Sequence, residues 1–205
     1  AFETKLEYVG TNSIRASLPL ESDLKGPEGR VHVIEVIPGK IVTGRSVYSH
    51  DGIGIARLSV IERYGKNSRP SCGYVRGFGN DFKGAIASSV GHDSHNLIVV
   101  GNNSKDMTVA VKALIECGGG FSIVRDSKVI EKLELPIGGL MTELSPEQIV
   151  KQLKSLRAAS AGIGCALKEP FLQLAFLSLP VIPSLKLTDK GLVDVNQFKI
   201  ISVAA

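Results

Sequence analysis

Apolar and polar residues alternate with period two along several short stretches of the chain, the spacing that a half-buried strand requires. "VHVIEVIP" (31–38) and "IVTGRSVY" (41–48) flank Pro38-Gly39 and predict a hairpin. In "IARLSVIERY" (55–64), Ala56, Leu58 and Val60 share one face, and the same alternation carries Glu62 to the end of that apolar row. "AIASSV" (85–90) is a strand-like segment and "NLIVV" (96–100) a strand whose apolar run, Leu97 to Val100, looks buried. "FSIVRDSKVIEKLELP" (121–136) predicts two strands around Asp126-Ser127. "LKLTDKGLVDV" (185–195) predicts a strand, a turn at 189–191 and a return strand, with "FKIISV" (198–203) as the last strand.

The period changes to 3.6 in "SKDMTVAVKALIECGGG", where Met107, Ala110, Val111 and Leu114 fall on one helical face. Asn103 or Ser104 would be the N-cap and Gly118 the stop. A second helix is announced by "SPEQIVKQLKSLRAAS": Ser145 as cap, Pro146 at the first helical position and Gln148 completing a capping box. Ile149, Leu153, Leu156 and Ser160 would form its inner face. "EPFLQLAFLSLPVIP" is apolar and bounded by prolines, and fits either a short helix or an extended run. About eight strands, many adjacent in sequence, with two or three helices predict an α+β fold: a mixed, largely antiparallel sheet arrangement with helices packed on it. No repeat or linker divides the chain, so 1–205 is expected to be one domain with an irregular segment at 1–29.

Composition narrows the function classes. The 24 basic and 20 acidic residues are interleaved, with no basic run or aromatic-studded stripe, which argues against nucleic-acid binding. Cys72, Cys117 and Cys165 are an odd, widely spaced set with no CxxC, as expected for reduced thiols. "AFETKLEYVG" lacks the basic and apolar regions of a leader, and no uninterrupted apolar run is long enough to span a bilayer. A cytoplasmic protein without membrane contact is the expectation.

The densest candidate chemistry is His92-Asp93-Ser94-His95-Asn96, directly before Leu97–Val100. Ahead of a strand, the two imidazoles point to opposite faces unless the backbone turns, and a metal site would need a third ligand that no nearby motif supplies. The plain alternative is a pair of histidines hydrogen-bonded to backbone at a strand entrance. Against it, five successive polar side chains between two apolar runs fit a polar site able to read a heterocycle or carry protons. Glu62, pointing inward, must be paired or hydrogen-bonded, either in a structural ion pair or in a site. "GFGNDFKG" lacks GxGxxG and opens no helix, "CGGG" fits a helix C-cap, and no GxSxG, HExxH or P-loop is present.

Taken together, "GFGNDFKGAIASSVGHDSHNLIVVG", "LPIGGLM", "PFLQLAFLSLPVIPSLKLTDKGLVDV" and, more loosely, "VIEVIPGKIVTG" with "VIERYG" closely resemble the C-terminal domain of bacterial and archaeal adenine deaminases, from about Arg30 to the end. The resemblance implies an amidohydrolase-superfamily enzyme of purine salvage. Such an enzyme converts adenine and water to hypoxanthine and ammonia, with Mn or Fe in a separate (β/α)8 barrel. It implies no cofactor or metal held by this chain, which alone is expected to be inactive because the water needs a Lewis acid or an equivalent base.

By the same resemblance His92, Asp93, His95 and Asn96 would face the barrel and shape the purine site, with Glu62 and Arg63 matching the family's Glu-Arg-His. Tyr64 departs from that His, Asn80 from a Leu and Ser184 from a Glu. The expected partners are the purine base adenine and a barrel domain or subunit, and a homo-oligomer is also compatible. The alternative is a purine-binding or assembly module without catalysis; a third reading is an independent metal-dependent hydrolase using His92 and His95.

Overall fold

The computed structural model describes residues 10–205; the N-terminal stretch read for a leader falls almost wholly outside them. After a 3-10 turn at Glu21–Leu24 the chain forms β1 (Arg30–Val36), β2 (Thr43–Ser49), β3 (Ile55–Ile61), β4 (Ser71–Arg76), β5 (Ala85–Ser88) and β6 (Leu97–Gly101). Then come α1 (Ser104–Glu116), β7 (Gly120–Arg125), β8 (Lys128–Glu134), α2 (Pro146–Gly162), α3 (Pro170–Phe176), β9 (Leu185–Thr188), β10 (Gly191–Asp194) and β11 (Lys199–Ile201). Strands β1 to β8 make one mixed sheet in the order β2-β1-β4-β3-β6-β5-β7-β8, antiparallel except for β1 against β4, and β9 to β11 make a small antiparallel sheet. The fold is α+β, as the pattern predicts, with eleven strands rather than about eight among the described residues.

Period-two alternation divides the core between the two faces of the large sheet. Ala85, Ala87, Leu97 and Val99 meet Met107, Ala110, Val111 and Leu114 of α1 on one face. Leu58, Val60, Ile86, Ile98 and Val100 meet Leu156 of α2, Phe171 and Leu174 of α3, and Leu185, Leu187 and Leu192 of the small sheet on the other. Strands β5 and β6 are covered on both sides, which explains why neither alternates and why the runs 85–87 and 97–100 are apolar throughout.

Capping follows the sequence closely. Asn103 Oδ1 accepts the Asp106 N–H at 2.8 Å to start α1. Ser145 and Gln148 exchange side-chain bonds at the start of α2. The ambiguous apolar segment divides: α3 is helical, and the rest runs irregularly into β9.

Strand β4 is the element that the pattern does not reveal. Its sequence SCGYVR lies in a glycine-rich stretch, and Gly73 weakens strand propensity. Pairing on both sides fixes it, with β1 parallel and β3 antiparallel. Tyr74 on this strand is fully buried and donates its hydroxyl to the Pro27 carbonyl at 2.9 Å, tying down the segment that precedes β1.

Candidate functional site

The polar row occupies the connection between β5 and β6. Asp93 (φ 64°) and His95 (φ 50°) both adopt left-handed backbone, so the chain turns twice and the two imidazoles part company. His92 stands exposed, its ring stacked on Phe176 of α3 at a centroid distance of 5.7 Å and its Nδ1 3.3 Å from Asp93 Oδ1. Its backbone N–H donates to the Ala175 carbonyl at 3.4 Å, which pins the loop to α3. His95 is half-buried, and its Nδ1 finds no partner among the described residues. Neither ring hydrogen-bonds backbone among the described residues, so that plain alternative does not describe the arrangement.

Asn96 is the hinge between this loop and the rest of the site. Only 4% exposed, it accepts the Arg63 backbone N–H on Oδ1 and donates Nδ2 to Asp189 Oδ1, each at 3.3 Å. Asp189, in the turn between β9 and β10, also pairs with Lys190 at 3.1 Å. Ser178, just beyond α3, is 4% exposed with its Oγ unpartnered among the described residues. His92, Asp93, Ser94, Asn96, Ser178 and Asp189 line one hollow of about 410 Å³, whose remaining walls are chiefly apolar and include Val60, Pro180, Val181, Val193 and Ile200. That size is within the usual range for small-molecule sites.

Glu62 and Arg63 lie behind the loop. Glu62 is buried as its place in the alternation predicts, yet its partner is not a cation held in a direct ion pair. The carboxylate accepts backbone N–H groups of Tyr64 (2.8 Å), Lys66 (2.7 Å) and Asn67 (3.2 Å), closing the turn after β3. Burial pushes its pKa up, but the three N–H donors and the charge of Lys66 outweigh that and hold it below the ordinary carboxylate value.

Arg63, 4% exposed, spreads its guanidinium over Ser13 Oγ (2.8 Å), the Gly138 carbonyl (2.7 Å) and the His95 carbonyl (3.2 Å), with no carboxylate partner among the described residues. Burial lowers its pKa and the neighbouring Tyr64 opposes the shift. The Tyr64 hydroxyl donates to the Ser94 carbonyl at 3.0 Å, so this residue also braces the loop.

Of the six residues singled out in the sequence, His92, Asp93 and Asn96 therefore line the hollow, Arg63 supports the loop from beneath, and Glu62 closes the turn that carries Tyr64. His95 contributes its carbonyl to that support and does not line the hollow. Asp189 and Ser178 are additions that no local motif singles out, because they reach the loop only through tertiary packing. Among the described residues, no three His, Cys, Asp or Glu side chains converge where a metal ion could sit.

These features define a mixed-sheet α+β domain with a ligand-sized hollow beneath a braced polar loop. The chain belongs to the adenine deaminase C-terminal domain family, whose model matches residues 37–199. It is 45% identical to an adenine deaminase of Shewanella halifaxensis over 98% of its own length and 36% of that protein. It is 46% identical to adenine deaminase 1 of Rhizobium meliloti over 96% and 37% respectively, and 45% identical to an adenine deaminase of Brucella anthropi over 93% and 36%. The chain thus spans little more than a third of the length of these relatives. No helix among the described residues is long and apolar enough to cross a membrane.

Proposed function

We propose that this domain completes the purine site of a metal-bearing catalytic barrel in an adenine deaminase, presenting the His92–Asn96 loop to it. The observation that carries the reading is the loop's construction: two exposed hydrogen-bonding side chains, His92 and Asp93, stand on a turn held rigid from below by Asn96, Arg63 and Tyr64. Rigid support beneath an exposed polar tip is what positioning a substrate requires. The hollow's rim also carries large exposed apolar side chains, Val181 (66% exposed) and Ile200 (62%), as a face covered by a partner would.

The reaction is hydrolysis: water adds at the amino-bearing carbon of adenine and ammonia leaves, giving hypoxanthine. A divalent metal would supply the activated water. The described residues of this chain offer no ligand cluster for one, so no step is assigned to a metal held here. Within the chain, the imidazole of His92 and the carboxylate of Asp93 can donate to or accept from ring nitrogens and the exocyclic amine.

The test is an ultraviolet assay of adenine conversion with Mn(II) or Fe(II), run on the chain alone, on a barrel fragment of a relative, and on the mixture. Turnover that rises in the mixture and falls again with His92→Ala supports the completing role. Equal turnover by the barrel fragment with and without the chain would refute it.

A further inference from the structure

We infer that the groove between α3 and the tip of the β1–β2 hairpin is a docking site for an extended polypeptide segment, contributed by the part of an adenine deaminase chain that lies outside this domain. The inference rests on the reading that the domain works within such an enzyme, and deepens it by naming where the two parts are held together.

The first observation is a hollow of about 500 Å³ whose walls include Pro38, Ile41, Leu167, Leu172 and Phe176. It shares no lining residue with the hollow under the polar loop. Hairpin tips are ordinarily polar, yet Ile37 (41% exposed), Ile41 (48%) and Val42 (40%) face solvent at this one, and Leu172 of α3 is 55% exposed. Leu172 also belongs to the wall of a smaller, chiefly apolar hollow of about 280 Å³, so the apolar surface extends past the groove itself. Apolar surface gathered in this way marks a contact site.

The second observation is Gln173, which lines the larger hollow. Only 8% of the residue is exposed and its carboxamide makes no hydrogen bond among the described residues, yet neither amide atom is sealed from solvent. The wall of an apolar groove thus carries one open carboxamide, a donor and an acceptor side by side, the complement of a peptide group. Peptide groups inside a helix or sheet already have their partners, so the matching one comes from an extended or looped segment.

Two further observations fix the source of that segment. The chain spans little more than a third of the length of its relatives, so most of their polypeptide lies outside it. Phe176, part of the groove's wall, stacks on His92 at 5.7 Å, so the groove adjoins the loop that the proposed function presents to the rest of the enzyme. One face then carries both the polar loop and the apolar anchor site.

The probes are short overlapping synthetic peptides covering the part of a matched adenine deaminase that this chain does not span. Fluorescence anisotropy of the labelled peptides, titrated with the chain, is expected to pick out a segment that binds saturably and whose scrambled version does not. Leu172→Asp, at a position more than half exposed, is expected to weaken that binding about 10-fold or more by placing a charge against an apolar anchor. Gln173→Ala is expected to weaken it about 3- to 10-fold, the range for one lost neutral hydrogen bond. Ile53→Asp, in the wall of a different hollow, is expected to leave it unchanged. The inference is overturned if no peptide binds saturably, or if the bound peptide is indifferent to both α3 variants. A chain that dimerises by itself and becomes monomeric with Leu172→Asp also overturns it, since a second copy is then the occupant. If the chain raises barrel turnover while no peptide seats beside α3, this inference fails and the completing role stands. If a peptide seats there and the barrel is indifferent to the chain, the completing role fails and the docking site stands.

Discussion

The guanidinium of Arg63 donates to the backbone carbonyl of His95 at 3.2 Å, so a buried cation at the end of β3 holds the left-handed turn of the facing loop. The same group also fastens Ser13 and Gly138, joining the N-terminal segment, the loop after β8 and the candidate site through one side chain.

Arg63→Ala is expected to lower stability by about 2–4 kcal/mol, because buried acceptors lose a charged donor, partly offset by relief from burying the charge. Arg63→Lys should recover only part of the loss, since an ammonium lacks the planar fork that spans three acceptors. Urea unfolding of the two variants checks this; equal midpoints for the Arg63→Lys and wild-type chains would contradict it.

Glu62 gives the site's support an acid sensitivity. Its folded pKa lies below the unfolded value of 4.5, so the unfolded chain binds more protons in the interval between them. Its stabilisation is therefore fully present above 4.5 and is lost as pH falls through the depressed folded value. Glu62→Gln should cost about 1–3 kcal/mol at pH 7 and flatten the acid limb of the stability curve. Unfolding midpoints at pH 7 and pH 3 should show a smaller difference in the variant than in the wild type.

Lys186 on β9 is fully buried and donates to the Ile41 carbonyl at 2.9 Å, without an anionic partner among the described residues. Burial lowers its pKa from 10.5 to about 8. Below about 8 both states are protonated and the desolvation cost is constant; between 8 and 10.5 the unfolded state holds the extra proton, so stability rises with pH. Lys186→Met should thus gain most over the wild type at pH 7, with the gain shrinking towards pH 10.5. Thermal midpoints across that range decide it, and a difference independent of pH would rule it out.

Gly120→Ala should be among the most damaging single substitutions. At φ +130° an added Cβ would fall on the Leu133 carbonyl oxygen of the paired strand β8, and β7 would have to move. A loss above about 4 kcal/mol is expected. A dispersed amide spectrum and a near-normal unfolding midpoint would show that the strand tolerates the change.

The chain's own pattern determined most local structure. Residues 104–116 and 146–162 carry a 3.6 period and are each preceded by a capping side chain, Asn103 and Ser145, and β5 and β6 carry the apolar runs 85–87 and 97–100. These are short-range forces, expressed over a few neighbouring residues. The inward direction of Glu62 was legible for the same reason, being a matter of alternation. So was the polar row at 92–96, because five hydrogen-bonding side chains beside a buried strand must find partners or a use.

Tertiary structure alone decided the rest. Strand β4 exists because β1 and β3 supply hydrogen bonds on both of its edges, whatever Gly73 prefers locally. Glu62 found backbone N–H groups instead of an ion pair because the chain turns back over it immediately after β3. His95 left the hollow because two left-handed residues rotate the loop. Asp189 and Ser178 joined the site from more than eighty residues away, since the small sheet and the end of α3 pack against the large sheet where β6 begins. Hydrogen bonds and burial between distant segments depend on which surfaces meet, and a one-dimensional pattern records only which surfaces are available to meet.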